Sequence, residues 1–177
     1  RAPLQVFPHF AEDASCHVCT AFQVPSSYEE RGYDVRVFLP PGYDESRAEP
    51  YPVFILNDGQ NLSPGRPEAL GGSWHAPHAF EAAAESGAIA PTVLLGVDHA
   101  GPKRIEEFSP PTLGRRGGAR DYADLLFEDV IPGAMKDVNV RADPSTLGLG
   151  GSSMGGLVSL WIAATRPGRV GKLIAMS

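Results

Sequence analysis

The sequence predicts an α/β fold, in which a mostly parallel sheet carries helices on both faces. Short apolar runs of the kind found in buried strands alternate along the chain with longer segments of helical periodicity. This alternation is typical of parallel strands that are joined by crossover helices. The chain has 177 residues, which is enough to bury a sizeable core, and we expect residues 1–177 to form one domain.

Six strands are predicted, and they are of two kinds. Two of them alternate between apolar and polar residues and are separated by a turn containing Ser and Gly, which predicts a hairpin. The other four are more continuously apolar, as parallel strands buried on both faces tend to be. The hairpin strands are predicted at 16–24 and 33–41, and the buried strands at 51–58, 92–98, 145–151 and 172–177.

Three segments have the pattern of helices. In the first, Ser73 is placed to cap the amino end and Gly87 to end the helix. In the second, Pro132 is expected to kink or restart the helix, because proline lacks an amide hydrogen and its ring clashes with the preceding turn. A Pro-Gly pair ends the third helix. The helices are predicted at 73–87, 120–138 and 154–168, and the long segments 59–73 and 99–120 are predicted as loops.

The composition indicates a globular protein that acts on small molecules. Hydrophobic residues make up 42% of the chain and charged residues 20%. The net charge of -6 argues against nucleic acid or an anionic membrane as a partner, because such binders usually carry a basic surface. No apolar run approaches the roughly 20 residues that cross a bilayer. We therefore expect a soluble protein, with the cytoplasm favoured over secretion or the periplasm.

The placement of the cysteines gives no sign of a metal or redox site. Cys16 and Cys19 are three positions apart in a predicted strand, so their side chains point to opposite faces. This placement opposes both a mutual disulfide and shared metal ligation. We expect neither a metal nor an organic cofactor.

The stretch "GGSSMGG" at 150–156 contains the pattern G-x-S-x-G, and its spacing selects Ser153. A predicted strand ends at Gly151 and a predicted helix begins just after the serine, which is the setting in which this pattern forms a nucleophile elbow. Gly151 and Gly155 are expected to leave no room for a Cβ, because helix and strand pack closely there. A glycine-rich turn, or an anion-binding helix terminus without catalysis, remains an alternative.

A serine nucleophile needs donors for the negative charge that develops on the former carbonyl oxygen. The backbone N–H of Met154 is one candidate, reinforced by the dipole of the helix that follows. A second donor is expected from "NDGQN" at 57–61, where Gly59 permits an unusual backbone turn. A simple tight turn is the alternative for this segment.

Three motifs together resemble one branch of the α/β-hydrolases, the branch of esterase D, enterochelin (ferric-siderophore) esterases, feruloyl esterases and mycolyltransferases. They are "FILNDGQNL", "GVDHAGPKRIEEFSP" and "GGSSMGGLVSLWIAATRPGRVGKLIAMS". The segments "DGQN" and "SSMGG" are most similar to the enterochelin-esterase-like group. The resemblance implies an α/β-hydrolase three-layer sandwich whose sheet is truncated after the sixth strand, so that the chain forms the N-terminal two-thirds of the domain.

The resemblance also implies roles for individual residues. Ser153 matches the nucleophile, and the backbone amides of Gln60 and Met154 match the oxyanion donors. Arg104 and Glu107 match a recurrent Arg…Glu…Pro segment beside the active site, whose role looks more structural than catalytic. No metal or cofactor is implied.

The chain departs from this family in one respect. In α/β-hydrolases the acid and the histidine of the triad follow the serine, yet residues 154–177 contain no Asp, Glu or His. All five histidines precede Ser153. His99 follows a strand expected to lie away from the serine's strand, and His75 and His78 are expected at the surface or in packing. Residues 1–177 alone are therefore expected to be nearly inactive.

The leading hypothesis for function is a serine hydrolase of small-molecule carboxylic esters that works through an acyl-serine. An acyltransferase of the same family is an alternative, and so is a non-catalytic α/β-hydrolase-like binding domain. A missing C-terminal segment or a partner chain is expected to complete the sheet. Arg104, Arg115 and Arg116 are candidate contacts for an anionic substrate, although a solvated loop also explains the last two.

Overall fold

A computed structural model describes residues 5–6, 19–25, 32–62, 73–112 and 116–177. Within these ranges the chain forms one eight-stranded sheet. Strands at all six predicted positions are confirmed, the first over residues 19–24 because residues 16–18, with Cys16, lie outside the described residues. Two strands of two residues each, too short to be recognised in the sequence, are added. The strands are β1 (Gln5–Val6), β2 (Cys19–Val24), β3 (Tyr33–Phe38), β4 (Tyr51–Asn57), β5 (Val93–Val97), β6 (Val140–Arg141), β7 (Leu147–Ser152) and β8 (Lys172–Met176).

The strand order is β1-β2-β3-β5-β4-β7-β8, with the short β6 paired to β4. The predicted hairpin is confirmed, because β2 and β3 pair antiparallel. Strands β5, β4, β7 and β8 are all parallel, as their continuous apolar runs indicated. The strand β4 therefore lies in the middle, with β5 on one side and β7 on the other.

Helices cover both faces of the sheet, which confirms the predicted layers. Alternate residues of β4 point to opposite faces, so that Ile55 joins one apolar cluster and Phe54 the other. The first cluster contains residues of the later helices, such as Tyr122 and Ile162, and the second contains Ala76 of the first helix. The helices are α1 (Ala76–Glu85), α2 (Arg104–Phe108), α3 (Ala119–Leu125), α4 (Ile131–Asp137) and α5 (Met154–Thr165).

Two details of the predicted helices and loops are wrong. His75, in a left-handed conformation, occupies the N-cap position of α1 instead of Ser73, whose hydroxyl oxygen accepts a hydrogen bond from the His75 N–H at 3.0 Å. Gly87, at φ 74°, follows the end of α1 as predicted. The segment 99–120, predicted as a loop, contains a 3₁₀ turn and the helix α2, which are too short to show a periodic pattern.

The predicted interruption at Pro132 is confirmed. Helix α3 passes into a π-helical turn at Leu126–Val130, and α4 resumes at Ile131. A proline cannot donate the i→i−4 hydrogen bond and its ring displaces the carbonyl of the preceding turn, so the regular α-helix cannot continue through this position. None of the described helices is long and apolar enough to span a membrane.

A buried ion pair joins the hairpin to the parallel part of the sheet. The Arg36 side chain donates from Nε to Asp98 Oδ1 at 2.8 Å and from Nη2 to Asp98 Oδ2 at 2.6 Å. Arg36 lies on β3, and Asp98 directly follows β5, the neighbouring antiparallel strand. The pair thus fixes the carboxyl end of β5, where the loop toward α2 begins.

Candidate active site

Ser153 occupies a strained turn between the end of β7 and the first residue of α5. Its backbone has φ 54° and ψ -121°, a combination that costs a non-glycine residue about 1–3 kcal/mol. The residue is exposed, and its N–H donates to the carbonyl oxygen of Met176 in β8 at 2.9 Å. The predicted strand-turn-helix setting of the serine is therefore confirmed.

The two glycines of the motif lie where no side chain fits. A Cβ on Gly151 would be 2.7 Å from the backbone carbon of Gly155, so the strand and the helix touch through bare backbone. A Cβ on Gly155 would be 2.8 Å from Asp58 Oδ2. The predicted need for glycine at both positions is confirmed, and the second contact shows that the loop after β4 packs directly against α5.

The loop after β4 forms a 3₁₀ turn at Gly59–Asn61, preceded by Asp58 in a left-handed conformation with φ 62°. The Asn61 N–H donates to the Asp58 carbonyl at 2.9 Å and closes the turn. A Cβ on Gly59 would be 2.5 Å from the backbone of Gly96 in β5, so only glycine allows this approach. Gln60 is buried in the turn, and its Oε1 accepts a hydrogen bond from the His99 N–H at 3.3 Å.

An ion pair connects this loop to α2 and to the serine turn. Arg104 donates from Nε to Asp58 Oδ1 at 2.5 Å and from Nη2 to Asp58 Oδ2 at 2.8 Å. The same Nη2 lies 3.4 Å from the carbonyl oxygen of Ser152. The hydrogen bond to Asp58 raises the pKa of Arg104 above its ordinary value, so the guanidinium stays charged.

A second, fully buried set of hydrogen bonds ties the end of β4 to α5. Asn57 Nδ2 donates to the Gly155 carbonyl at 2.9 Å and to Ser159 Oγ at 2.8 Å. The Tyr122 hydroxyl donates to Asn57 Oδ1 at 2.7 Å. Burial, together with the charge of Glu107, raises the pKa of Tyr122 well above its ordinary value, so the hydroxyl remains a neutral donor.

The candidate histidines are placed as follows. His99 follows β5, which lies on the opposite side of β4 from the serine's strand, as the sequence predicts. His75 and His78 form an edge-to-face pair at the start of α1, with ring centres 5.9 Å apart. His9 and His17 lie outside the described residues. The described residues contain no group of three side chains that could ligate a metal.

The candidate arginines differ in their surroundings. Arg104 reaches the serine turn but is paired with Asp58, and its contact with substrate stays a prediction. Arg116 is exposed, and Arg115 lies outside the described residues. Glu107, the other residue of the Arg…Glu…Pro segment, is buried and accepts a hydrogen bond from the Ala100 N–H at 3.1 Å.

Sequence reasoning did not single out Asn57, Asp58 or Tyr122 as parts of the site. Asn57 and Asp58 lie in the quoted segment "NDGQN", but an Asn-Asp-Gly run is equally typical of a simple turn. Tyr122 has the helical spacing of a core residue, and the prediction that it packs in the core is confirmed. A core position does not require a hydroxyl group, so the hydroxyl of Tyr122 was the feature of the sequence that pointed to a further role.

Comparison with known proteins places the chain in a family. The profile of the family described as "Putative esterase" matches residues 26–177. The chain belongs to this esterase family. A curated relative in Bacillus subtilis (strain 168), "Uncharacterized protein YbbA", is 26% identical over 149 residues, which cover 80% of this chain and 54% of the relative.

Solved structures agree with the α/β-hydrolase fold of the esterase family. The BES protein from Bacillus cereus has a TM-score of 0.66 at 19% identity, covering 89% of this chain and 60% of that one. The siderophore hydrolase EstB from Aspergillus nidulans has a TM-score of 0.64 at 21% identity, and the match covers 86% of this chain and 55% of that one. The enterobactin esterase FES from Shigella flexneri has a TM-score of 0.68 at 16% identity, and the match covers 90% of this chain and 36% of that one. The chain thus spans roughly one-third to three-fifths of the length of these relatives.

Proposed function

We propose that the protein is a serine esterase in which Ser153 is the nucleophile. The observation that carries this proposal is the strained backbone of Ser153, at φ 54°, in an exposed turn at the amino end of α5. Such strain persists where the surrounding structure imposes it, and it clusters at active sites. Membership of the esterase family supports reading this turn as a nucleophile elbow instead of a glycine-rich turn.

In the proposed reaction the Ser153 hydroxyl attacks the carbonyl carbon of the ester and transfers its proton to a base. The backbone N–H groups of Met154 and Gln60 bind the oxygen that becomes negative, and the dipole of α5 favours the same charge. When the tetrahedral intermediate collapses, the bond to the leaving oxygen breaks, the alcohol takes the proton back from the base, and an acyl-serine remains. Water, which gives a proton to the same base, then hydrolyses the acyl-serine to the free acid and the serine hydroxyl. If an alcohol replaces water in the last step, the protein is an acyltransferase.

We further propose that the base is a histidine other than the five of residues 1–177, because all five precede Ser153 and the triad histidine of α/β-hydrolases follows the serine. Its proposed source is a segment that corresponds to the unmatched part of the relatives, of whose length the chain covers 36–60%, or a partner chain that also pairs with β8. Residues 1–177 alone are expected to hydrolyse esters slowly, because a serine hydroxyl without a base is a weak nucleophile. A non-catalytic binding domain is the competing function that the same absence favours.

For the substrate we propose an ester of the siderophore type. The support is that several solved structures of the same fold are described as a siderophore hydrolase and as enterobactin or enterochelin esterases. Ferulic acid esterases are also among the similar structures, so aromatic acid esters are the second substrate class to test.

The test compares two matched variants, Ser153→Ala and Ser152→Ala, which each remove one hydroxyl from neighbouring positions. The protein at its natural length and the chain 1–177 are assayed with p-nitrophenyl butyrate, enterobactin and methyl ferulate. We expect turnover by the natural protein to fall at least about 10³-fold in Ser153→Ala and to change little in Ser152→Ala. Labelling by a fluorophosphonate, read by intact mass, reports the same serine directly.

Three results would contradict the proposal or parts of it. Turnover that persists in Ser153→Ala would rule out Ser153 as the nucleophile. Ser153-dependent turnover by the chain 1–177 at the rate of the natural protein would refute the external base and direct the search to His75, His78 and His99. Absence of both turnover and labelling in the natural protein would favour the binding-domain function.

A further inference from the structure

The Asp58–Arg104 ion pair lies between the two segments that carry the proposed oxyanion donors. Asp58 directly precedes the 3₁₀ turn that contains Gln60, and its carbonyl closes that turn. Arg104 donates two hydrogen bonds to the Asp58 carboxylate. It also contacts the carbonyl oxygen of Ser152, next to the serine turn. The two contacts thus connect the Gln60 segment to the Met154 segment through one side-chain pair.

Asp58 is enclosed in a way that suits positioning and not substrate binding. It is 1% exposed, and its Oδ2 lies against the first turn of α5, where a Cβ on Gly155 would be 2.8 Å away. A carboxylate at the amino end of a helix interacts favourably with the helix dipole. The guanidinium fork of Arg104, its Nε and Nη2 donors, is occupied by this carboxylate. Such a bidentate pair fixes the orientation of the two side chains as well as the distance between them.

We propose that Asp58 and Arg104 are positioning residues, which hold the Gln60 turn at a fixed distance from the Ser153 turn and so set the spacing of the two oxyanion donors. This inference rests on the proposed function, because it assigns the pair a role in the same site. It differs from the prediction that Arg104 contacts an anionic substrate. Positioning affects the bound transition state, whereas a substrate contact affects the affinity for an anionic ester.

The test uses a double-mutant cycle in the protein at its natural length. Asp58→Asn removes the charge but keeps a residue that tolerates the left-handed conformation. Arg104→Gln removes the fork, and the double variant leaves two neutral amides. For the uncharged substrate p-nitrophenyl butyrate we expect each single variant to lower kcat about 10- to 100-fold with KM within about twofold. The double variant is expected to be no slower than the slower single variant, because both changes remove the same pair.

A control separates positioning from general loss of stability. Arg166 pairs with Asp124 at the carboxyl end of α5, far from Ser153 along the helix. Because this pair is partly exposed, Arg166→Gln is expected to lower the midpoint of thermal unfolding only slightly, and kcat stays within about twofold. Arg104→Lys, which keeps the charge without the fork, is expected to recover only part of the lost kcat.

The outcomes distinguish failure of this inference from failure of the proposed function. Loss of activity in Ser153→Ala with unchanged kcat in Asp58→Asn overturns the positioning role and leaves the nucleophile standing. An increase in KM for a carboxylate-bearing ester in Arg104→Gln, with kcat unchanged, replaces positioning by substrate binding. If Ser153→Ala retains turnover and fluorophosphonate labelling, the proposed function fails and the positioning role fails with it.

Discussion

The N–H of Ser153 donates a hydrogen bond to the carbonyl oxygen of Met176 at 2.9 Å, which ties the serine turn to the strand β8. The turn is therefore held from two sides, because Asp58 and Arg104 contact it from the loop after β4 and from α2. A turn with unfavourable backbone angles is retained only where its surroundings impose it. This arrangement makes the backbone strain at Ser153 measurable as a property of stability, independent of any assay of activity.

The first prediction concerns that strain. Ser153→Gly is expected to be more stable than Ser153→Ala by about 1 kcal/mol, since alanine keeps the Cβ that opposes φ 54° and glycine does not. The gain is reduced by the larger conformational entropy of glycine in the unfolded chain. Urea unfolding of the two variants measures the difference. Equal stability would show that the turn is not strained in solution.

The second prediction concerns the contact between β7 and α5. Gly151→Ala is expected to cost about 1–3 kcal/mol or more, because the new Cβ would meet the Gly155 backbone at 2.7 Å and neither element can move freely. Gly168→Ala is the matched control, since Gly168 has φ 74° but nothing within 4 Å of its Cβ position. It is expected to cost only about 1 kcal/mol through its backbone angle. A Gly151→Ala variant as stable as the control would argue against close packing at the elbow.

The fold was predictable from the sequence to the level of its layers, and the reasons are visible in particular residues. Buried strands such as β4 have a continuous apolar run, α1 ends just before Gly87, and the helix that contains Pro132 is interrupted there. Contacts between residues far apart along the chain were not predictable. Asn57 meets Ser159, and Asp58 meets Arg104, only because the strand order brings the loop after β4 beside α5 and α2.

The third prediction concerns the pH dependence of stability and Tyr122. Burial raises the pKa of Tyr122 above that of a tyrosine in the unfolded chain, near 10. Its contribution to stability is therefore complete below pH 10 and is lost as the pH rises further, because the unfolded state releases a proton that the folded state keeps. Tyr122→Phe is expected to show a shallower loss of stability above pH 10.

At neutral pH the same variant is expected to be less stable by about 1–3 kcal/mol, because Asn57 Oδ1 loses the donor at 2.7 Å in a buried place. Urea unfolding at pH 7 and at several values above 10 measures both effects. Tyr43→Phe is the comparison, since Tyr43 is only partly buried and its pKa is raised less by its surroundings. An equal alkaline slope in Tyr122→Phe and the wild type would contradict the assignment.

The fourth prediction concerns the buried pair Arg36–Asp98. Arg36→Met is expected to cost about 3–5 kcal/mol, because the Asp98 carboxylate loses its bidentate partner in a buried position. The double variant Arg36→Met/Asp98→Leu is expected to be more stable than Arg36→Met alone, since it removes the second charge as well. Chemical unfolding of the four members of this cycle gives the coupling energy. Additive losses would show that the two side chains act independently.

The fifth prediction concerns the exposed edge of the sheet at β8. Among the described residues, β8 pairs only with β7, and its apolar side chains are partly exposed. Beside it lies a groove of about 640 Å³ between α1 and β8, lined by apolar side chains that include Phe54, Phe80, Ile89 and Ile174. In the chain 1–177, an apolar edge strand next to an apolar groove favours pairing with another strand.

The chain 1–177 is therefore expected to self-associate as its concentration rises, and Ile174→Lys to reduce this association. Lysine can place its charge in water at the edge while its stem covers the groove. The matched control is Ile105→Lys on α2, because Ile105 is 67% exposed and Ile174 only 41%. If exposed apolar area alone drove association, the change at Ile105 would have the larger effect. Sedimentation velocity over a range of concentrations distinguishes association through β8 from association driven by exposed apolar area in general. Equal association of Ile174→Lys and the wild type would locate the contact away from β8.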